Sequence, residues 1–169
     1  MNEKSIQRAL YSIYDNYEYK LFNVYIFGME TDFFAISKSG YAIEIEIKIS
    51  KADFKNDFKK IKKHSNLADK QFVRKPNRFM YACPYGLIDA SEVPEYAGLI
   101  YIGTHDYNSK IIKNPPLLHK QKPLENLKFV KDLLTKYYFR YHDILRKYEI
   151  KNWNMSDRQL NLFNPDSTW

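Results

Sequence analysis

The sequence is poor in the residues that form disulfides, metal clusters and membrane spans. Among its 169 residues Cys83 is the single cysteine, so no disulfide can form within the chain and we expect a reducing compartment. The 4 histidines are scattered, which argues against a zinc site. No apolar run approaches the roughly 20 residues that cross a bilayer, and the first residues lack the apolar core of a signal peptide. We therefore expect a cytoplasmic protein that does not bind membranes.

Positive charge, in contrast, is abundant. Lysine and arginine number 27 against 20 aspartates and glutamates, which gives a net charge of +7. Such a field attracts polyanions, and nucleic acid is the commonest polyanion in a cytoplasm. An AT-rich gene would produce the same excess of lysine together with isoleucine, asparagine, tyrosine and phenylalanine. The positions of the lysines therefore carry more information than their number.

Hydrophobic periodicity predicts an α/β fold. Helical spacing predicts a first helix over 5–14, a helix that begins at Ser50, and a long helix over 124–148. Runs of β-branched and aromatic residues predict strands over 21–27, 32–37, 41–49, 78–83 and 97–103, and the segment 111–123 is predicted to be a loop. This order predicts a mixed β-sheet flanked by helices in a single domain over 1–150, followed by a polar tail over 151–169.

The strand over 41–49 carries the side chains that are the best candidates for catalysis. Its isoleucines alternate with Glu44, Glu46 and Lys48, so these three charged residues share one face. Asp32 begins the preceding strand, and a hairpin can bring it close to Glu46. Two neighbouring carboxylates repel each other unless a cation neutralises them, and their oxygens suit Mg²⁺ or Mn²⁺. Lys48 could orient or deprotonate an attacking water, or neutralise charge that develops on a phosphate.

The same pattern also fits an exposed antiparallel strand whose charged face is solvated, which is common in proteins. A strand in the middle of an α/β domain is usually covered on both faces, however, and charges buried there need partners or a metal. The spacing by itself leaves both interpretations open.

The residues also resemble a known family. Asp32, a hairpin and then Glu46-Ile47-Lys48 resemble the PD-(D/E)XK nuclease superfamily, and the string over 44–58 is similar to MmcB-like DNA repair proteins of bacteria and phages. Similar strings continue at 76–79, 83–88 and 93–100. The resemblance implies a restriction-endonuclease-like fold in which Asp32 and Glu46 bind the metal and Lys48 is the catalytic lysine. It also implies that the backbone carbonyl of Ile47 completes the metal shell.

The chain departs from the superfamily pattern in two ways. Thr31 precedes Asp32, where the superfamily name has proline. Glu30 and Glu44 are additional carboxylates near the predicted site, and either could be a further ligand or a supporting group. The number of metal ions therefore stays open.

The helix that begins at Ser50 is rich in lysine, and Lys59, Lys60 and Lys63 are predicted to contact DNA phosphates. A solvated helix face is the alternative for each single lysine. One polar stripe at helical spacing should lie beside the carboxylates: Asp53, Asp57, Lys60 and His64. An adjoining apolar stripe should face the core: Phe54, Phe58 and Ile61.

The predicted tail contains Gln159-Leu160-Asn161-Leu162-Phe163. This string resembles the Gln-Leu-(Ser/Asp)-Leu-Phe peptide by which bacterial DNA-processing proteins bind the replicative sliding clamp. In that mode Leu162 and Phe163 would fill an apolar pocket of the clamp, and Gln159 would orient the backbone. Alternatively, the tail folds back over an apolar patch of its own domain.

Together these features predict a metal-dependent DNA nuclease that acts in repair, recombination or replication in a bacterium or a phage. The leading alternative is a catalytically silent DNA-binding or adaptor module on the same fold, and cleavage of RNA is a third interpretation. The intact set of Asp32, Glu46 and Lys48 favours the enzyme, because a pure binder has no need for clustered acids facing an anion.

Overall fold

Six strands and three helices precede a long helix in the computed structural model, which describes residues 1–103 and 108–152, with side chains through residue 148. The chain divides into two units, residues 1–127 and 128–169. The first unit contains α1 (Glu3–Ile13), β1 (Tyr17–Ile26), β2 (Met29–Ser37), β3 (Ala42–Ile47), α2 (Lys51–Asp57), α3 (Ile61–Ala68), β4 (Arg78–Pro84), β5 (Ala97–Ile102) and β6 (Lys110–Lys113). Helix α4 (Leu127–Asn152) begins at the last residue of the first unit, and the rest of it is the described part of the second unit.

The strands form one sheet in the order β1-β2-β3-β4-β5-β6. The pairs β3–β4 and β4–β5 are parallel, and the other three pairs are antiparallel. The tight turn between β1 and β2 places Phe27 at φ 53° and Gly28 at φ 89°, the left-handed conformation that two-residue hairpin turns require. The predicted α/β class, a mixed sheet flanked by helices, is confirmed.

Each face of the sheet covers an apolar core, because side chains alternate along the strands. On one face α1 packs through Ile6 and Leu10 against the isoleucines of β3. On the other face α2 and α3 pack through Phe54 and Leu67 against aromatic residues of β4. Strand β3 is buried along its whole length, so its polar side chains lie between the sheet and these two helices.

The edge of the sheet differs from the prediction. The segment 111–123 was predicted to be a loop, but Lys110–Lys113 forms strand β6 beside β5. The strand is too short to show an alternating pattern, and Pro115 follows it closely. At Gly98 of β5 a Cβ would lie 2.8 Å from the carbonyl oxygen of Lys113 and 2.7 Å from the nitrogen of Pro115. Glycine at this position therefore permits the close approach of β6.

The helix predicted after Ser50 is two helices. Ser50 caps α2 as expected, since its side chain accepts the N–H of Asp53 at 3.1 Å. Residues 58–60 separate α2 from α3, although neither proline nor glycine marks the interruption. In consequence Ile61, predicted to face the core, is 73% exposed, and Phe58 is also partly exposed.

Helix α4 begins at Leu127 rather than at residue 124, because Pro123–Glu125 forms a short 3₁₀ helix. The helices of the described ranges include none with both the length and the apolar character needed to cross a bilayer.

Candidate active site

Strand β3 places three charged side chains between the sheet and helices α2 and α3. Glu44, Glu46 and Lys48 project from the face opposite the isoleucines of the same strand. Lys48 extends the pairing of β3 with β4, because its N–H donates to the carbonyl of Ala82 at 2.9 Å. All three side chains are almost completely buried. Charges buried to this degree require partners close by.

Asp32 of β2 lies beside Glu46. Its Oδ2 accepts the N–H of Ile47 at 2.7 Å, beyond the last paired residues of the β2–β3 ladder. Burial and the negative charge of Glu46 raise the pKa of Asp32 to about 6, and the Ile47 N–H and Lys48 offset only part of this shift. The hairpin thus brings together Asp32, Glu46 and Lys48, the three residues that the sequence predicts to be catalytic.

Ammonium groups surround the Glu46 carboxylate. Nζ of Lys48 lies 3.2 Å and Nζ of Lys60 3.4 Å from Oε2, and Nζ of Lys63 lies 2.5 Å from Oε1. Burial alone would raise the pKa of Glu46, but the charges of Lys63 and Lys48 outweigh burial and lower the pKa. Lys63 also lies 2.5 Å from Glu44. At Glu44 burial prevails over this contact and raises the pKa.

Asp57, the last residue of α2, is a second anchor for the lysines. Its Oδ1 lies 2.9 Å from Nζ of both Lys48 and Lys60, and its Oδ2 accepts the hydroxyl of Tyr81 at 3.0 Å. Nε2 of His64 lies 3.4 Å from Oδ2. Burial would raise the pKa of Asp57, but the contacts with His64 and with the lysines outweigh burial and lower the pKa. Lys48 is therefore held between two carboxylates.

The interruption between α2 and α3 allows both helices to contribute to this cluster. Asp57 and Lys63 are six positions apart, and at about 100° per residue a continuous helix would direct them to different sides. Because α2 ends at Asp57, the chain turns and Lys63 enters from the first turn of α3. The carbonyl of Lys60 accepts the N–H of Lys63 at 2.9 Å, which begins the new helix.

The cluster contains more carboxylates than ammonium groups. Its carboxylates are those of Asp32, Glu44, Glu46 and Asp57, with that of Asp53 at its exposed edge, and its ammonium groups are those of Lys48, Lys60 and Lys63. Asp32 is the carboxylate that forms no ion pair with any residue in the described part of the chain. Asp32 is therefore the carboxylate of the cluster that no ammonium group contacts directly.

The carboxylates of Asp32 and Glu46 are the candidate ligands for a divalent cation at this site. Within residues 1–103 and 108–152 no group of three His, Cys, Asp or Glu side chains is arranged to hold a metal. In the arrangement that the resemblance implies, a metal at Asp32 and Glu46 would also be bound by the carbonyl of Ile47, and water would complete its shell. Mg²⁺ commonly binds with this few protein ligands. A cation there would also relieve the repulsion that raises the pKa of Asp32.

The lysines predicted to contact DNA lie in three different environments. Lys59 is exposed, and Lys60 is half exposed and contacts two carboxylates of the cluster. Lys63, which the sequence predicts to contact DNA phosphates, is buried instead, and its ammonium group neutralises two buried carboxylates. The predicted stripe that includes Asp57 and His64 does lie beside the carboxylates.

Of the two additional carboxylates that the sequence places near the site, one belongs to the cluster. Glu30 is exposed on β2, whereas Glu44 belongs to the cluster through Lys63. The clamp-binding peptide with Gln159, Leu162 and Phe163 lies outside the described residues.

Tyr81 is a member of the cluster that the sequence pattern did not predict. Strand β4 pairs in parallel with β3 so that Tyr81 lies opposite Glu46. Burial and the charge of Asp57 raise the pKa of Tyr81 far above its ordinary value, so its hydroxyl remains a neutral donor. The alternation of Phe79, Tyr81 and Cys83 places Tyr81 on the α2–α3 face, but the sequence does not reveal that α2 supplies an acceptor.

Comparisons with known proteins inform the fold alone. The chain matches no protein-family model, and no curated protein sequence is significantly similar to it. The solved structure of a protein of unknown function from Silicibacter pomeroyi matches it with a TM-score of 0.62. The two chains are 19% identical, over 92% of this chain and 98% of the other.

Proposed function

We propose that this protein is a metal-dependent phosphodiesterase that cleaves DNA, with Asp32, Glu46 and Lys48 as its active site. The observation that carries the proposal is the Asp32 carboxylate, which no ammonium group of the cluster contacts directly, beside a second carboxylate and a lysine held in a fixed position. Carboxylates with a perturbed pKa next to a specific charged partner are typical of functional sites. A cation bound there would balance the charge of the cluster.

Each residue has a distinct role in this proposal. Asp32 and Glu46, with the carbonyl of Ile47, would hold Mg²⁺ or Mn²⁺, which would supply Lewis acidity toward a phosphate oxygen and lower the pKa of a bound water. The Lys48 ammonium group would orient the attacking water or stabilise charge that develops on the phosphate. Asp57 keeps Lys48 in place, and its lowered pKa means that it remains ionised.

DNA as the substrate class rests on the resemblance to PD-(D/E)XK and MmcB-like proteins and on the net charge of +7. Exposed lysines on α2, on α3 and between these helices add local attraction for phosphates: Lys55, Lys59 and Lys62. We assign the activity to repair, recombination or replication in the cytoplasm of a bacterium, encoded by the bacterium or by a phage.

A catalytically silent DNA-binding or adaptor module is the second candidate, and one observation favours it. Glu46 already contacts the ammonium groups of Lys48, Lys60 and Lys63, so a metal ion would have to displace at least one of them. Lys60 is the one best able to move, because its side chain is 49% exposed. If none moves, the cluster is structural and the protein binds DNA without binding a metal.

One assay separates the two candidates. The full chain is incubated with Mg²⁺ or Mn²⁺ and with single-stranded, duplex and branched DNA and single-stranded RNA. We expect cleavage of DNA that EDTA and Asp32→Asn both abolish, whereas the exposed control Glu30→Gln retains it. Cleavage that persists in Asp32→Asn would rule out the proposed site. Binding without cleavage under every condition would favour the silent module, and cleavage of RNA alone would reassign the substrate.

A further inference from the structure

We propose that this protein pairs with a second copy of itself through one face of α4, an inference independent of the proposed function. Apolar residues recur along the helix at alternating intervals of three and four: Leu127, Val130, Leu134, Tyr137, Tyr141, Ile144 and Tyr148. We call these residues the α4 seam. Alternation of three and four is the a/d heptad pattern of coiled coils, in which each apolar residue inserts between residues of a facing helix.

Within the described residues, the side chains of the seam are largely exposed to solvent. Every seam residue except Val130 is between 41% and 73% exposed, and Tyr138 beside the seam is 59% exposed. Soluble monomers rarely expose a contiguous apolar patch of more than a few hundred Å². A whole aromatic side chain has an area of roughly 150–250 Å². Four partly exposed tyrosines, two leucines and an isoleucine therefore present several hundred Å² of apolar surface to solvent. This area approaches the ~800 Å² that each partner buries in a standard interface.

The charges of α4 are compatible with a parallel pair of identical helices. Asp132 and Asp143 lie away from the seam. The e positions beside the seam are Lys131, Tyr138 and Leu145, and the g positions are Leu133, Arg140 and Lys147. In a parallel coiled coil a g residue faces the e residue of the following heptad in the other chain. Arg140 would then face Leu145, and Leu133 would face Tyr138, so no like charges oppose each other at these positions.

The spacing distinguishes a helix from a nucleic acid as the occupant of the seam. Single-stranded nucleic acid stacks on exposed aromatic side chains and is attracted by lysines, both of which α4 offers. Stacking of bases does not require the alternating interval of three and four, whereas pairing of helices does. Leu127, Leu134 and Ile144 also offer no ring on which a base could stack.

The test is the molar mass of the full chain in solution, measured by light scattering or sedimentation from low micromolar to submillimolar concentration. We expect a dimer of twice the 20.3 kDa chain. The double variant Leu134→Glu, Tyr141→Glu should weaken dimerisation about tenfold or more, since it places charge at two seam positions in each copy. The control Thr135→Glu, Phe139→Glu adds the same charge at exposed positions off the seam and should remain dimeric.

Circular dichroism must show that both variants are folded, which is expected because the substituted side chains are exposed. A wild-type chain that is monomeric at every concentration overturns the proposal, as does a dimer that persists unchanged in the seam variant. If the wild type is monomeric and the seam variant alone has a weakened affinity for single-stranded DNA, the seam binds nucleic acid and the proposal is also overturned.

Discussion

The carboxylates of the cluster around β3 differ in whether nearby ammonium groups neutralise them. Glu46 and Asp57 contact ammonium groups that lower their pKa values, whereas burial and repulsion raise the pKa of Asp32 to about 6. An ionised Asp32 therefore opposes folding in the absence of a bound cation. Proteins often retain unfavourable groups of this kind at sites where function needs them.

Replacing Asp32 by Asn should stabilise the metal-free protein at pH 7.5. Between the ordinary pKa of 3.8 and the pKa of about 6 in the folded chain, the folded state holds a proton that the unfolded state has released. The free energy of unfolding therefore decreases as the pH rises through this interval. Asn does not ionise, so the variant lacks this decrease, and the amide oxygen of Asn can still accept the Ile47 N–H. We expect a gain of about 1–3 kcal/mol in urea denaturation at pH 7.5 and none at pH 3.

Glu30→Gln, which removes an exposed carboxylate from the same strand, is the matched control and should leave stability within about 0.5 kcal/mol. The same proteins test metal binding. Mn²⁺ should raise the melting temperature of the wild type and of the control but not that of Asp32→Asn. A loss of stability in metal-free Asp32→Asn would contradict the charge imbalance proposed for the cluster.

Lys63 represents the opposite case, a buried charge whose removal should be costly. Lys63→Met leaves Glu44 and Glu46 without the ammonium group that lies 2.5 Å from each of them. Breaking a buried ion pair by removing one partner typically costs about 3–5 kcal/mol. We expect a loss of this size in the free energy of unfolding, measured with urea, while Lys62→Met on the exposed neighbour changes it little. Equal effects of the two variants would mean that Lys63 is not part of a buried cluster.

At the scale of elements, local patterns predicted strands β1 to β5 but not the short edge strand β6 or the junction of α2 and α3. The alternation in β3 predicted that Glu44, Glu46 and Lys48 share a face, and the hairpin predicted that Asp32 lies near them. The first feature follows from the alternation of side chains along a strand, and the second from the short sequence separation across a hairpin. The part of the site that β2 and β3 supply could therefore be predicted from the sequence.

The rest of the cluster depends on tertiary contacts that the sequence does not display. The helix interruption carries no proline or glycine, and it coincides with the positions where α2 and α3 turn Asp57 and Lys63 toward β3. Because the prediction assumed one continuous helix, it assigned Lys63 to contacts with DNA phosphates and Ile61 to the core. Tyr81 was missed for the same reason, since its role depends on where α2 ends.

The lysine surface of α2 and α3 needs a corrected set of variants. Lys60 and Lys63 contact the carboxylate cluster, so the exposed lysines that remain for binding phosphates on these helices and between them include Lys55, Lys59 and Lys62. Changing these three to Gln should weaken binding to duplex DNA irrespective of its sequence. The slope of log K against log salt should become shallower by up to about 0.9 for each DNA phosphate that a lysine no longer neutralises.

The control changes three exposed lysines elsewhere in the first unit to Gln: Lys38, Lys110 and Lys120. Both variants have the same net charge, so a purely long-range effect would change their salt slopes equally. A shallower slope in the helix variant alone indicates direct binding of phosphates by α2 and α3. If the slopes of the helix variant and the wild type coincide, this face does not bind DNA.

At the scale of the whole molecule, the charged cluster lies in the first unit, whereas every residue of the α4 seam except Leu127 lies in the second. The proposed metal site and the proposed dimer can therefore be tested independently of each other. A seam variant that is monomeric should keep its Mn²⁺-dependent stabilisation, because the metal would be held entirely by β2 and β3. The clamp hypothesis concerns a third part of the chain, the sequence that follows α4.

The peptide Gln159–Phe163 should bind a bacterial sliding clamp when it is presented as part of residues 155–169. Burying Leu162 and Phe163 in a clamp pocket could contribute roughly 3–6 kcal/mol, at ~1.5–3 kcal/mol per side chain. Ordering the peptide offsets part of this gain, which leaves an affinity on the micromolar scale. Calorimetric titration of the peptide should show binding that the double variant Leu162→Ala, Phe163→Ala abolishes. Equal binding by both peptides, or binding by neither, would exclude the clamp as the partner of this segment.

Deletion of residues 158–169 from the full chain should leave the melting temperature unchanged, because a tail that binds a clamp is not needed for folding. A decrease of several degrees would instead mean that this segment covers an apolar surface of its own chain.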